Sequence, residues 1–165
     1  MPTGPAARVG DSVSHPAPPM LGPGPGSTDV MIGNKPAWRG VGGAAAAAIL
    51  EAKEASEKAI KAAEEATKAA TSADKAAAEA AEESLKANEA AAMGSMIASA
   101  AGGADMHACT TVLPIPPHGS GVVVDGSQTV LINGLPACRQ GDTIVEPVGP
   151  PNKITMGEST VIIGG

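Results

Sequence analysis

The chain repeats one short motif three times, and this repetition restricts its possible folds more than any other feature. The motif Pro-Ala-X-Arg lies at residues 5–8, 36–39 and 136–139. Each copy is associated with a short apolar run that ends in Gly or Asn-Gly; these runs lie at 30–33, 130–134 and 161–164. Self-similarity of this kind indicates that one small unit is reused and that neighbouring copies bury one another. We therefore expect three short β units, each too small to be stable alone.

The residues that close the apolar runs predict tight turns. Val, Ile and other apolar residues followed by Gly or Asn-Gly are typical of a strand that leads into a hairpin. Asn133 followed by Gly134 is the strongest turn signal in the chain, because both residues tolerate positive φ. A proline shortly after the turn, such as Pro136, suits the start of an edge strand.

The spacing between arginine and aspartate reveals an insertion in the second repeat. In the first and third repeats the motif arginine is followed three residues later by an aspartate, Asp11 or Asp142. In the second repeat the aspartate that matches Arg39 is Asp105. The intervening stretch, 42–103, is mostly Ala, Glu and Lys, which are strong helix formers. We expect a helical insertion placed in a loop of the second repeat.

The insertion is predicted to be a hairpin of two antiparallel helices. A break is expected at 71–74, where Ser72 or Asp74 would cap the second helix. A single helix would separate the ends of the insertion by about 80–90 Å at ~1.5 Å per residue, too far for the repeat to continue. Glu and Lys at helix-supporting spacing form the candidate pairs Glu54–Lys58, Glu57–Lys61 and Glu64–Lys68. The predicted organisation is therefore a β part at 1–41, the hairpin at 42–103 and the remaining β part at 104–165.

The composition predicts a thin hydrophobic core. Phe and Tyr are absent, Trp38 is the one aromatic residue, and much of the apolar content is Ala. Small domains with thin cores usually depend on a metal, disulfides or a partner subunit. The net charge of -6 and the lack of a Lys/Arg cluster argue against nucleic acid as a partner. No secretory leader or spanning apolar run is evident, so we expect synthesis in the cytoplasm and no stable membrane insertion.

The histidines and one cysteine predict a metal site. All three histidines of the chain, His15, His107 and His118, lie in repeat loops, and Cys109 follows His107 by two residues. Three imidazoles and one thiolate form a tetrahedral donor set suited to Zn²⁺. Four protein ligands leave no position for water, which predicts one structural zinc that contributes folding free energy.

Other interpretations of these residues remain open. A single histidine in a Gly/Pro loop is commonly solvated, although three such histidines beside a cysteine favour a metal. The fourth residue after the repeat aspartates is a potential ligand each time: His15, Cys109 and Glu146. Cys138 is a competing thiolate, but it occupies the packing position taken by Trp38 in the second repeat. We favour Cys109 as the ligand and Cys138 as a buried hydrophobic residue.

These motifs together resemble the PAAR-repeat family. The resemblance covers 5–39 and 105–165, everything except the helical insertion. It is carried by Pro-Ala-X-Arg, the following Gly-Asp, Asp-Met-His-Ala-Cys at 105–109, Pro-Pro-His-Gly at 116–119 and the closing Val-Ile-Ile-Gly-Gly. It implies a mainly β fold, a small conical domain of three pseudo-threefold repeats, interrupted here by the helical hairpin. Carried over residue by residue, the zinc ligands fall on His15, His107, Cys109 and His118.

The resemblance also implies a function and a partner. Members of the family cap and sharpen the trimeric VgrG-like or phage-like spike of a contractile injection system, such as a type VI secretion system. One chain would bind each trimer and would have no enzymatic activity. Assembly in the bacterial cytoplasm would be followed by delivery outside the cell or into the target cell. The helical insert is a candidate adaptor for cargo or a chaperone.

Two alternative functions follow from other features. A zinc-dependent hydrolase would hold its metal with fewer ligands and use Glu146 as the base, which requires an open coordination position. A helical-hairpin binding module would use the β repeats only as a scaffold.

Overall fold

The structure is a computed structural model that describes residues 1–14, 19–109 and 118–165. These residues form short strands and two long helices, and the helices are inserted between strand regions, which confirms the predicted mainly β fold with a helical insertion. The strands are β1 (Gly4–Ala6), β2 (Pro23–Gly24), β3 (Met31–Ile32), β4 (Lys35–Pro36), β5 (Met106–Cys109), β6 (Gly119–Val123), β7 (Leu131–Ile132), β8 (Leu135–Pro136), β9 (Thr143–Val145), β10 (Asn152–Lys153) and β11 (Glu158–Ile163). The helices are α1 (Gly43–Ala69) and α2 (Lys75–Ala100).

The three Pro-Ala-X-Arg segments form a closed ring of backbone hydrogen bonds. The amide of Ala7 donates to the carbonyl of Cys138 (2.9 Å), that of Cys138 to Trp38 (3.1 Å), and that of Trp38 to Ala7 (2.9 Å). Each segment thus donates to one neighbour and accepts from the other. A second ring runs in the opposite direction: the amide of Val9 donates to Pro36 (3.0 Å), that of Gly40 to Pro136 (2.8 Å) and that of Gln140 to Pro5 (2.8 Å). The sequence repeat is therefore a pseudo-threefold arrangement in space.

Each apolar run pairs with the proline of a motif in the same register. The equivalent pairs are Met31 with Pro36, Leu131 with Pro136, and Ile162 with Pro5. In two of them a tight turn joins the strands, and both turn residues have positive φ: Gly33 and Asn34 (53° and 63°), and Asn133 and Gly134 (52° and 78°). These values fit the type I′ turn that suits β-hairpins, and the predicted Asn-Gly turn is confirmed. The third pair joins β11 to β1, from opposite ends of the sequence.

The core near the ring is built from equivalent small residues. One buried cluster contains an alanine and an isoleucine from each repeat: Ala6, Ala37, Ala137, Ile32, Ile132 and Ile163. A neighbouring cluster holds the three X residues of the motif, Ala7, Trp38 and Cys138. Alanine suits the place where three backbones hydrogen-bond to one another, because its side chain needs little room. The prediction that Cys138 is a buried hydrophobic residue is confirmed.

The Arg-Asp turns are the same in all three repeats, including the interrupted one. The backbone amide of each arginine donates to the aspartate carboxylate: Arg8 to Asp11 (2.8 Å), Arg39 to Asp105 (2.8 Å) and Arg139 to Asp142 (2.7 Å). Each aspartate amide donates back to the arginine carbonyl, at 3.1, 3.0 and 3.2 Å. The insertion therefore enters and leaves between two residues that remain hydrogen-bonded to each other.

The insertion is a hairpin whose base packs on the β part. Ile49 of α1 and Met93 and Ile97 of α2 are buried in one cluster with Val122 and Val145 of the sheet. Antiparallel packing returns the chain to its starting point, as expected. No helix in the described part of the chain is long and apolar enough to cross a membrane.

Two local details of the hairpin differ from the prediction. Asp74 is the N-cap residue of α2, but its carboxylate accepts from the Thr71 hydroxyl (2.7 Å) and makes no side-chain capping bond to the helix. Of the expected ion pairs, Glu54–Lys58 forms at 2.8 Å. The other two glutamates have different lysine neighbours: Glu57 lies near Lys53 (3.8 Å) and Glu64 pairs with Lys86 (2.8 Å). The hairpin partner helix supplies Lys86, which sequence spacing along one helix cannot show.

Candidate metal centre

Three neighbouring strands bring the candidate ligands to one edge of an antiparallel sheet. The sheet has the order β10-β9-β6-β5-β2. Cys109, the last residue of β5, is paired with Gly119, the first residue of β6. Val122 of β6 is paired with Val145, the last residue of β9. Because neighbouring strands run in opposite directions, the end of β5, the start of β6 and the end of β9 lie together.

The side chains at this edge form a compact donor set. Ligand atoms of Cys109, His118 and Glu146 all lie within 4.8 Å of one another. His118 Nδ1 lies 3.0 Å from Glu146 Oε2, and His107 Nε2 lies 3.6 Å from Glu146 Oε1. Cys109, His107 and Glu146 are buried, and His118 is partly exposed. Tetrahedral bonds of about 2.0–2.3 Å put ligand atoms roughly 3–4 Å apart, so small shifts would seat an ion.

The chemistry of the set fits a divalent cation. A buried carboxylate is costly unless a positive charge or hydrogen bonds compensate it. One thiolate and one carboxylate would together balance the two charges of Zn²⁺, and neutral imidazoles would supply the remaining ligands. The amide of Asn152 donates to Glu146 Oε2 (3.0 Å), a contact of the kind that orients metal-binding carboxylates.

Two glycines allow the segments that carry Glu146 and His118 to lie close to their neighbours. A Cβ on Gly121 of β6 would lie 2.6 Å from both the Val145 carbonyl oxygen and Glu146 Cγ. A Cβ on Gly149, where φ is +83°, would lie 3.0 Å from the His118 ring. Glycine is needed at both positions because a side chain would push the strand or the loop away from the site.

The structure places the predicted ligands as follows. Cys109 and His118 come together with Glu146 at the sheet edge, and His107 lies beside Glu146, with 3.6 Å between Nε2 and Oε1. His15 lies outside the described residues. We did not select Glu146 as a ligand from the sequence. The spacing signal was present, because Glu146 follows Asp142 by four residues as Cys109 follows Asp105.

The competing thiol, Cys138, has a different environment. It is buried in the apolar cluster that contains Trp38 and Ile144. Burial, followed by the negative charge of Asp142, raises the pKa of the Cys138 thiol well above its usual range. A thiol that resists ionisation is a poor metal ligand, because the thiolate is the form that binds.

Comparison with known proteins agrees with this arrangement. The family model of the PAAR motif matches residues 113–165, a stretch that includes His118, Glu146 and the third Pro-Ala-X-Arg segment. No curated protein and no solved structure matches the chain. The PAAR motif is a structural, metal-binding motif, and it supports a spike-tip-like structural role and association with a spike partner. The match covers the C-terminal third of the chain, and together with the repeats that close into a threefold ring it supports a PAAR-repeat protein.

Proposed function

We propose that the protein is the structural tip of the trimeric spike of a contractile injection system of the type VI secretion kind. One chain caps and sharpens one VgrG-like or phage-like trimer. Assembly takes place in the bacterial cytoplasm, and firing delivers the tip outside the cell or into a target cell. The pseudo-threefold ring supports this function, because a single chain with three equivalent units can present matching contacts to three identical subunits.

Three exposed apolar side chains are the observation that carries the proposal. Met31, Leu131 and Ile162 occupy the same register position in the three repeats, each opposite a motif proline. Their exposed fractions are 55%, 57% and 61%. Large exposed apolar side chains that recur at equivalent positions are typical of an interaction surface. We call this set the threefold apolar surface and assign it to the spike trimer.

Mixing experiments test the assignment. The protein is mixed with a purified trimeric VgrG-like spike protein, and the mass of the complex is measured by light scattering after sizing chromatography. We expect one chain per trimer. Combining M31E, L131E and I162E should abolish the complex, because three charges would be buried against the partner. The matched control is L50E, which changes a leucine of the insert that is 47% exposed.

Two results would contradict the assignment. One is the absence of any complex when both proteins are folded and a known cognate tip binds the same spike. The other is a triple variant that binds as well as the L50E control, since the threefold apolar surface would then lie outside the interface.

The metal has a structural role in this proposal. We assign His107, Cys109, His118 and Glu146 as the side chains that would hold one Zn²⁺. A bound zinc would cross-link the loops of the second and third repeats and contribute folding free energy, which a core rich in Ala supplies only weakly. His15, the ligand expected from the sequence in the first repeat, is the competing candidate for the fourth position.

The helical hairpin is proposed as the adaptor for cargo or a chaperone. Its base packs on Val122 and Val145, whereas the threefold apolar surface belongs to other strands. A partner could therefore bind the hairpin while the spike is bound. Removal of the insert should leave spike binding intact and abolish capture of the cargo or chaperone.

A further inference from the structure

The helical insert holds the two residues that flank Glu146. On one side, Val145 is buried in the cluster formed with Ile49 and Met93 of the hairpin. On the other side, the carbonyl of Pro147 accepts a hydrogen bond from Lys53 Nζ of α1 (3.1 Å). Glu146 thus lies between an apolar contact and a polar contact, and both are made by the insert.

Lys53 is in an unusual environment for a lysine. It is buried, although lysine is rarely buried unless its charge is compensated. Its Nζ lies 3.8 Å from Glu57 Oε1 in addition to its bond to Pro147. Burial lowers the pKa of Lys53, and the charges of Glu57 and Glu146 act in the opposite direction. The hydrogen bond to Pro147 places the Lys53 ammonium group against the residue that follows Glu146 in the chain.

Pro147 in turn is packed against Gly119, the first residue of β6, which directly follows His118. A Cβ on Gly119 would lie 2.9 Å from the Pro147 ring, and one on Gly94 of α2 would lie 3.8 Å from it. The amide of the next residue, Val148, donates to the His118 carbonyl (3.2 Å). A displacement of Pro147 would therefore move both Glu146 and His118.

We infer that Lys53 is a positioning residue for the candidate metal centre: its ammonium group holds the Pro147 carbonyl and thereby sets the Glu146 carboxylate beside Cys109 and His118. This inference rests on the metal centre of the proposed function. It adds a coupling between the insert and the metal, which must be reciprocal. Metal binding stabilises the docked hairpin, and a partner that lifts the hairpin from Pro147 weakens metal binding.

The test compares two lysines of the same helix. K53M removes the buried cation, and K58M makes the same change at an exposed lysine that pairs with Glu54. Zinc affinity is measured by competition with a chelator, and helix content by circular dichroism. Substitution of a residue that orients a metal ligand typically lowers metal affinity about 10–100-fold. We therefore expect a loss of zinc affinity of that size for K53M and none for K58M. K53R keeps a donor and should restore part of the affinity.

Cobalt spectra give a second measure of the site. If Lys53 positions Glu146, the ligand-field bands of Co²⁺-loaded K53M should differ from those of wild type, whereas K58M should match wild type. Equal zinc affinity and equal spectra for K53M and K58M would overturn the inference. A wild-type protein that binds no zinc would instead refute the metal centre itself.

Hydrogen exchange on the unmodified chain covers the case in which K53M does not fold. Zinc should slow exchange of the α1 amides around Lys53 more than that of amides near the hairpin turn at 70–74. Identical exchange at Lys53 with and without zinc would overturn the coupling, since binding at one site would then leave the other unchanged.

Discussion

Glu146 is a buried carboxylate surrounded by two imidazoles, a thiol and an amide. His118 Nδ1 and Asn152 Nδ2 each lie 3.0 Å from its Oε2 atom. A nearby positive charge stabilises a buried carboxylate, and a divalent cation would provide that charge. The identity of the fourth ligand is therefore a question that single substitutions can answer.

We expect E146Q to weaken zinc binding at least about 10-fold, because glutamine keeps the shape of the side chain but lacks the charge that balances the cation. H15A should keep wild-type affinity if His107, Cys109, His118 and Glu146 fill the tetrahedral set. The zinc affinity of both variants is measured by competition with a chelator. If E146Q keeps wild-type zinc affinity and H15A loses it, the fourth ligand position belongs to His15.

Asp142 makes stability depend on pH. Burial raises the pKa of its carboxyl to about 6, although the bonds and charge of Arg139 oppose the shift. Between about pH 4 and pH 6 the folded protein keeps a proton that the unfolded chain has released. This contribution to stability is therefore complete below about pH 4 and is lost as the pH rises through 6.

D142N isolates this contribution, since the other titrating groups are common to both proteins. The free energy of unfolding of wild type minus that of D142N should be larger at pH 4.5 than at pH 7.5. Urea denaturation of both proteins at the two pH values measures this difference. A difference that is constant, or larger at pH 7.5, would show that the ion pair with Arg139 dominates and that burial does not.

At the level of elements, the pairing of β6 with β9 connects the core to the candidate metal centre. Gly121 of β6 lies beside Val145, the last residue of β9, and Glu146, which follows that strand. On its other side Gly121 is paired with His107 of β5. The three strands can approach closely because this position has no side chain. Sheet geometry and ligand placement therefore depend on the same residue.

G121A should destabilise the protein by about 1–3 kcal/mol or more, the usual cost of overpacking, because its Cβ would meet the backbone oxygen of Val145. Zinc affinity should fall as well, since Glu146 Cγ lies equally close to the added methyl group. The control is G43A at the start of α1, where a Cβ meets nothing within 4 Å. Urea denaturation and chelator competition measure the two effects; equal stability of the two variants would contradict the packing argument.

At the level of the whole molecule, the hairpin is an insertion into a unit that is otherwise complete. Arg39 and Asp105 keep the hydrogen bonds made by the corresponding residues of the uninterrupted repeats. In the third repeat, the two residues between arginine and aspartate are Gln140 and Gly141. The Gln140 amide donates a hydrogen bond to the Pro5 carbonyl, and in the interrupted repeat the Gly40 amide makes the equivalent hydrogen bond to the Pro136 carbonyl.

Replacement of residues 40–104 by Gln-Gly should therefore give a folded chain that still binds a spike trimer one to three. Its melting temperature should be lower than that of the full chain, because Val122 and Val145 no longer pack against the helices. Its zinc affinity should also be lower, because the Pro147 carbonyl loses its hydrogen bond from Lys53. Light scattering, thermal unfolding and chelator competition measure these properties. A shortened chain that folds but no longer binds the trimer would place the spike contact on the insert.

Sequence alone determined the threefold repeat, the Asn-Gly turn and the helical hairpin. These features are local: the turn depends on two adjacent residues, the hairpin on a continuous Ala/Glu/Lys segment, and the insertion on the spacing of Arg39 and Asp105. The same patterns indicated His15, His107, Cys109 and His118 as candidate ligands, because the sequence predicts all four in repeat loops. In the structure His107 and Cys109 belong to β5, and His118 directly precedes β6.

Only the tertiary structure decided which side chains meet. The antiparallel register of β5, β6 and β9 places Glu146 with Cys109 and His118 and buries Cys138 in the core. The bond from Lys53 to Pro147 joins residues 94 positions apart in the chain. Such contacts depend on how strands and helices pack, and sequence spacing carries information only within a strand, a helix or a repeat.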